Sequence, residues 1–276
     1  MKVPIDKNEV IQLKKQSIRE LNNMLESYLA KNDEEHIKKV KILSHWIKQF
    51  SQYISFEENY DPLRQINYKR GNVIRVNFGF NVGKEFGGLH YAVVLDNDSK
   101  HHSQVLTVIP LSSTDGKSDI HSNNVNLGTE LFEKVNTVQS KLIDENNEAL
   151  AETSKLHHSF HETLNMVLSL YDTETSEDIN NSEVIDMLNN MLDEISEKKK
   201  ILDSQSDILQ RNSKEIEKMK QGSMAVVNQI RTISKQRIYT PKKSTDFLYD
   251  ISLSAPAMDK INDKLLEIFL NLGLIW

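Results

Sequence analysis

Residues 70–95, RGNVIRVNFGFNVGKEFGGLHYAVVL, decide how the middle of this chain folds. Residues 73–78 alternate with a period of two, which is typical of a β-strand. Residues 91–95 are apolar on both faces and predict a second, central strand. The turn between the two runs is rich in glycine, and Glu85 and His90 stand on either side of a Gly-Gly pair. The stretch predicts a β-hairpin in which these two side chains serve either the turn or a reaction.

Composition excludes several classes of protein. The chain of 276 residues contains no cysteine, so disulfides, thiolate metal sites and cysteine nucleophiles are excluded. The first ten residues lack the apolar core of a signal peptide, and no run approaches the roughly 20 apolar residues of a membrane span. We therefore expect a cytoplasmic protein that makes no use of a membrane.

Charge is distributed unevenly along the chain. The formal net charge is −6, but residues 68–127 and 222–245 together carry +6 and all other residues carry −12. The segment between these two basic pieces, residues 128–221, carries −10. A basic core in an acidic protein indicates an anionic ligand.

Helical periodicity flanks and interrupts the β-rich core. Residues 1–62 show two amphipathic runs separated by Asn-Asp, which predict an N-terminal helical hairpin. Residues 128–221 repeat apolar positions in heptads, which predicts an inserted, antiparallel coiled-coil hairpin. The remaining pieces, residues 68–127 and 222–276, form the predicted core domain, which ends in a helix beginning near Pro256. The expected fold class is therefore α+β, with a β-core interrupted by helices.

Five motifs in this order resemble the MazF/PemK family of toxin endoribonucleases. They are RGNVIRVN at 70–77, GKEFGGLH at 83–90, YAVVL at 91–95, VIPLSS at 108–113 and QIRTISKQRI at 229–238. The resemblance covers roughly 130 residues in two pieces and leaves out both helical hairpins. It implies an SH3-like antiparallel β-barrel, a homodimer, and a cognate antitoxin as partner. It also implies cleavage of single-stranded mRNA to a 2′,3′-cyclic phosphate without a metal or cofactor.

The resemblance also assigns the site residues. By position, the catalytic residues are Ser112, Glu85 and His90. His90 stands where the family has an arginine, and this departure matters because arginine stabilises phosphate charge whereas histidine also exchanges protons near neutral pH. The residues expected to contact RNA are Lys84, Phe86, Ser113, Gln229, Arg231, Lys235 and Arg237. Turn glycines are Gly83, Gly87 and Gly88, which favour positive φ in a hairpin.

Simpler interpretations stand beside each assignment. The basic side chains are also typical of a solvated edge, Ser112 and Ser113 of a turn, and the acidic insertion of a dimerisation surface. Replacement of the family's arginine by His90 is compatible with an RNA-binding or regulatory protein that no longer cleaves RNA. In a third interpretation the β-rich core serves only as a structural platform for the long helical hairpin. We also predict that the acidic insertion folds beside the basic core and competes with RNA.

Overall fold

The structure, a computed structural model, describes residues 5–97, 103–114, 120–171 and 181–270. It divides into two compact units, each treated by itself below. The first consists of residues 1–61 and 77–89, and the second of residues 62–76 and 90–276. This grouping divides the chain differently from the three predicted segments and does not test their boundaries. The predicted domain boundaries therefore remain a prediction.

Two helices and one loop form the first unit. Helix α1 runs from Lys7–Leu29 and α2 from Glu34–Phe56, each capped by an aspartate whose carboxylate accepts a backbone N–H at the first turn. Val40 is the one buried residue among these two helices. A hairpin with so little interior derives little stability from its own packing.

Antiparallel strands form the sheet of the second unit. The strands are β1 (Val73–Asn77), β2 (Leu89–Val94), β3 (Val105–Ser113), β4 (Asn124–Gly128), β5 (Ser223–Val226), β6 (Arg231–Ser234) and β7 (Ile238–Thr240). Their order is β4-β5-β3-β2-β1-β7, and β6 pairs with β3. Strand β2 lies between β3 and β1, as its two apolar faces predicted. Strand β4 was not predicted, because its five residues NVNLG follow a polar loop and bury two side chains, Val125 and Leu127.

Three more helices complete the described part of the chain: α3 (Glu130–Tyr171), α4 (Asn181–Ile216) and α5 (Ala255–Leu270). With the antiparallel sheet they confirm the predicted α+β class. The described strands pair in an order whose two ends do not join, so the closed SH3-like barrel remains a prediction. The coiled-coil geometry of the long helices also remains a prediction. The polar break expected between the two long helices falls at residues 172–180, outside the described residues.

The hydrophobic core of the second unit lies between the sheet and the helices. It joins Val73, Val93 and Ile109 of the strands to side chains of α3 and of α5. The residues that alternate with these on the strands, such as Ile74 and Val108, are also fully buried. Both faces of β1 and β3 are thus shielded from water, which a solvated sheet would not show.

The long helical hairpin leaves and re-enters the sheet at one point. Strands β4 and β5 pair directly, with Val125 opposite Ala225 and Gly128 opposite Ser223. Helices α3 and α4 therefore replace the turn of a β-hairpin. They run antiparallel, because the Gln139 amide of α3 donates to Leu209 O (3.2 Å) and to Ser213 Oγ (3.0 Å) of α4. The β4–β5 ladder continues to Gly128 at the base of the insertion, with one irregularity in register between Asn126 and Gly128.

A carboxylate fixes the base of α3 to the start of α5. Glu130 accepts hydrogen bonds from the Ser254 amide (2.5 Å) and hydroxyl (2.9 Å) and pairs with Lys134 at 2.9 Å. Lys134 in turn donates to Ser252 O at 2.7 Å. Burial acts to raise the pKa of Glu130, but the hydrogen bonds from Lys134 and Ser254 together lower it below its usual value.

This cluster yields a prediction about acid stability. Because the folded pKa of Glu130 is lowered, its contribution is present above the unfolded pKa and is lost as the pH falls through the folded one. We expect Glu130→Gln to lower the free energy of unfolding by about 1.5–3 kcal/mol at pH 7. The difference from the unchanged protein should shrink as the pH is lowered below about 4. Urea denaturation at several pH values measures both.

The matched control is Glu148→Gln, which removes an exposed carboxylate from the same helix. It should change the free energy of unfolding by less than about 0.5 kcal/mol. Equal effects of the two substitutions at pH 7 would show that the Glu130 cluster contributes nothing specific.

Candidate functional site

The predicted turn glycines shape the loop of the first unit. Gly83 and Gly88 have positive φ angles of 63° and 88°, which strain any other residue. Gly87 is needed for a different reason, because a Cβ there would lie 2.8 Å from Gly79 O. The loop thus requires glycine for backbone conformation and for close approach, independently of any reaction.

Three predicted site residues lie on this loop. Lys84 and Glu85 are exposed at its tip, and Phe86 is partly buried. Phe86 packs edge-on against Phe78 with the ring centroids 5.5 Å apart. Phe86 thus helps to shape the loop.

Two further predicted residues lie on neighbouring strands of the second unit. His90 is on β2 and Ser112 on β3, and both are partly exposed. The observed pairs between these strands are Ala92 with Pro110 and Val93 with Ile109. The last of these pairs, Ala92 with Pro110, lies two residues from His90 along β2 and two residues from Ser112 along β3. His90 and Ser112 therefore both lie just beyond the same end of this ladder.

Strand β3 exchanges partners near the predicted serines. Ser112 is opposite Met224 and Ser113 opposite Ser223 on β5. The adjoining Thr114 amide donates to Gly222 O at 3.1 Å, which extends this contact by one residue. The end of β3 that carries the serines is therefore held against the residues at which the chain returns from the insertion.

The basic residues of the late motif, residues 229–238, differ in their exposure to solvent. Gln229, Arg231 and Arg237 are partly exposed, but Lys235 is only 2% exposed. Burial lowers the pKa of Lys235, and the charge of Asp96 opposes that shift. A side chain so buried is unsuited to a surface contact with RNA, so Lys235 serves the fold here.

An arginine that the motif comparison did not select lies at the centre of a polar cluster. The Arg75 guanidinium is 5.7 Å from the ring centroid of Tyr91 and 5.4 Å from that of Tyr239. It also pairs with Glu215 of α4 at 2.6 Å, and Glu215 pairs with Lys218 at 3.0 Å. Arginine between aromatic rings is an arrangement that suits nucleotide phosphates and bases.

The environment of this cluster changes the pKa of two of its members. The hydrogen bond from Lys218 lowers the pKa of Glu215; burial opposes the shift, and Arg75 adds to it. Burial raises the pKa of Tyr91 to about 12, so its hydroxyl stays protonated at neutral pH. Arg75 is therefore neutralised by an ionised carboxylate that the insertion supplies.

Comparison with known families confirms the motif-based assignment for part of the chain. Residues 69–170 match the sequence model of the PemK-like, MazF-like toxin of type II toxin-antitoxin system family. These residues are therefore similar to a PemK-like, MazF-like toxin domain. The match contains the loop, His90 and Ser112, runs on through most of α3 and does not include the late motif. No curated protein matches the chain.

Two kinds of feature are not found in the part of the chain that the structure describes. Within the described ranges, no group of three or more histidine, aspartate or glutamate side chains is arranged to hold a metal ion. None of the described helices is both long and apolar enough to cross a membrane.

Proposed function

We propose that this chain is a toxin-type endoribonuclease that cleaves single-stranded mRNA without a metal ion. The observation that supports the proposal is the β2–β3 pairing, which ends with Ala92 and Pro110 and so leaves His90 and Ser112 beyond the same end of one ladder, inside the segment that matches the toxin family. An imidazole and a hydroxyl at one end of a ladder supply a proton-transfer group and a hydrogen-bond donor, which RNA cleavage needs.

In the proposed reaction the ribose 2′-oxygen attacks the adjacent phosphorus. The new P–O2′ bond forms, the P–O5′ bond breaks, and the 2′,3′-cyclic phosphate and a 5′-hydroxyl result. His90 takes the 2′-hydroxyl proton and returns a proton to the leaving 5′-oxygen, because an ordinary histidine side chain exchanges protons near neutral pH. Ser112 donates a hydrogen bond to the phosphorane oxygen. The role of Glu85 as a second acid or base rests on the family resemblance alone.

RNA binding is assigned to the solvent-accessible members of the predicted set. These are Lys84, Phe86, Ser113, Gln229, Arg231 and Arg237; Lys235 is omitted because it is buried. Arg75 and Tyr239 are added because a cation beside an exposed ring suits a nucleotide. Basic side chains that contact phosphates make binding sensitive to salt.

The remaining predictions about architecture and partners belong to the same proposal. Burial on both faces of β1 and β3 supports a sheet that curls into an SH3-like barrel. The heptad pattern supports a coiled-coil geometry for α3 and α4. We further propose a homodimer, a cognate antitoxin as partner and a cytoplasmic location; the match to a type II toxin family supports the antitoxin.

A second candidate function rests on the identity of residue 90. Where the family has an arginine, this chain has a histidine. A neutral imidazole stabilises a phosphorane less than a guanidinium does. The same surface could thus bind RNA in a regulatory role without cleaving it.

Cleavage in the absence of metal distinguishes the two functions. Incubation of the protein with a long single-stranded RNA in EDTA should yield discrete fragments that end in a 2′,3′-cyclic phosphate. His90→Ala and Ser112→Ala should each lower the cleavage rate by about 100-fold or more, the range of a lost proton-transfer or oxyanion group. Lys243→Ala, which removes an exposed lysine outside the proposed site, is the control and should leave the rate unchanged.

Intact RNA with a salt-sensitive shift in a gel would contradict the enzyme and support the binding protein. If neither cleavage nor a shift is seen, both functions are wrong for the RNA tested. Cleavage that survives both substitutions would show that the site lies elsewhere.

The Arg75–Glu215 pair gives a test of competition between the insertion and RNA. Because Glu215 neutralises Arg75, Glu215→Gln should free the guanidinium and strengthen RNA binding by about three- to tenfold at low salt. Glu217→Gln removes an exposed carboxylate two residues away and is the matched control. Affinity is measured by fluorescence anisotropy with a labelled single-stranded RNA. Equal effects of the two substitutions would indicate a general change in charge and contradict specific competition.

A further inference from the structure

The loop of residues 77–88 is closed by its own backbone. The Phe78 amide donates to Gly88 O and the Gly88 amide to Gly79 O, each at 2.8 Å. The Asn81 amide group crosses the loop and donates to Phe78 O (3.2 Å) and Phe86 O (2.7 Å). These bonds tie both arms together, so a displacement at the base is transmitted to the tip.

Helix α2 holds the base of this loop by two contacts. The Trp46 ring lies against Gly79, because a Cβ added to Gly79 would be 2.7 Å from Trp46 Cζ2. The Asn77 amide donates to Gln49 Oε1 at 2.5 Å, and Asn77 Oδ1 accepts from the Gly79 amide at 2.9 Å. Trp46 and Gln49 are three residues apart and so lie on one face of the helix.

Aromatic neighbours hold the tryptophan in place. The rings of Phe50 and Tyr53 have centroids 5.7 Å and 6.3 Å from the Trp46 ring. Since Val40 is the only buried residue of α1 and α2, this aromatic group is not part of a large helical core. Its contact with the loop is at Gly79, at the base of the loop.

We propose that Trp46 and Gln49 are positioning residues for the loop, so that the N-terminal helical hairpin sets how the loop engages RNA. Gly79 is the point of contact, because any side chain there would displace the ring. The part of the proposal that concerns RNA rests on the proposed function. The coupling of α2 to the loop does not, and it is measured separately.

The chain offers a matched pair of glycines for that measurement. Gly79 and Gly83 both have positive φ, at 84° and 63°, so alanine strains the backbone at either position. A Cβ at Gly79 meets Trp46, whereas a Cβ at Gly83 has nothing within 4 Å. The difference between the two variants therefore isolates the contact with the helix.

Hydrogen exchange of the Gly88 amide reports the opening of the loop base. Gly79→Ala and Trp46→Ala should each increase its exchange rate by about tenfold or more, and Gly83→Ala by less than about threefold. In a Trp46→Leu background, which removes the large ring, Gly79→Ala should add less than about threefold. Circular dichroism checks that each variant keeps its helices. Gln49→Ala provides a milder change at the base of the loop than Trp46→Ala. Gln52→Ala, at an exposed position of the same helix, is the control for Gln49→Ala.

RNA affinity then tests whether the coupling reaches the tip. Trp46→Ala should weaken binding by about five- to tenfold, and Trp46→Phe should restore most of it. If Trp46 acts through the loop, Lys84→Ala should cost less affinity in Trp46→Ala than in the unchanged protein.

The outcomes separate the two proposals. Equal Gly88 exchange in the Gly79→Ala and Gly83→Ala variants, or no change in Trp46→Ala, overturns the coupling. Faster exchange with unchanged RNA affinity overturns the positioning role. If the unchanged protein binds no RNA, the proposed function fails, while the exchange experiment still decides whether α2 controls the loop.

Discussion

The pairing of β3 with three other strands is the constraint on which the second unit depends. One edge of its nine residues bonds to β2, and the other bonds first to β6 and then to β5. Every side chain from Val108 to Leu111 is buried, so neither edge nor face of that segment is open to water. Because β5 follows the long insertion in sequence, this one strand joins chain segments more than 100 residues apart. The same strand carries Ser112 next to β2, the strand of His90.

Short sequence patterns predicted the strands and helices whose formation depends on neighbouring residues. Period-two alternation gave β1, two apolar faces gave the central position of β2, and heptad spacing gave the two long helices. Strand β4 was not predicted, because a pattern of five residues with two buried side chains is too short to distinguish a strand from a loop. The contact between Arg75 and Glu215 could not be predicted from the sequence. The two residues are 140 positions apart, and the pairing of distant strands brings them together.

Lys235 shows that charge alone does not identify an exposed side chain. As a lysine in a basic block it was assigned to the RNA surface. In the structure β6 ends at Ser234 and Lys235 begins a short 3-10 helix, where it is only 2% exposed. Its pKa is lowered by burial, which is the cost of keeping an ammonium group inside the fold. Because Lys235 lies beyond the end of the strand, period-two alternation gave no signal for its burial.

In the proposed competition with RNA, the base of the acidic insertion matters more than the total charge of the insertion. The 42 residues of α3 extend about 63 Å at 1.5 Å per residue. Screening limits exposed charges to about 8 Å at physiological ionic strength, so carboxylates along most of that length exert little force on the sheet. Glu215 is different, because it lies in the last turn of α4, is partly buried and touches Arg75 directly. The net charge of −10 therefore overstates the electrostatic effect of the segment on the sheet, and the proposed competition rests on one ion pair at the point where the chain re-enters the sheet.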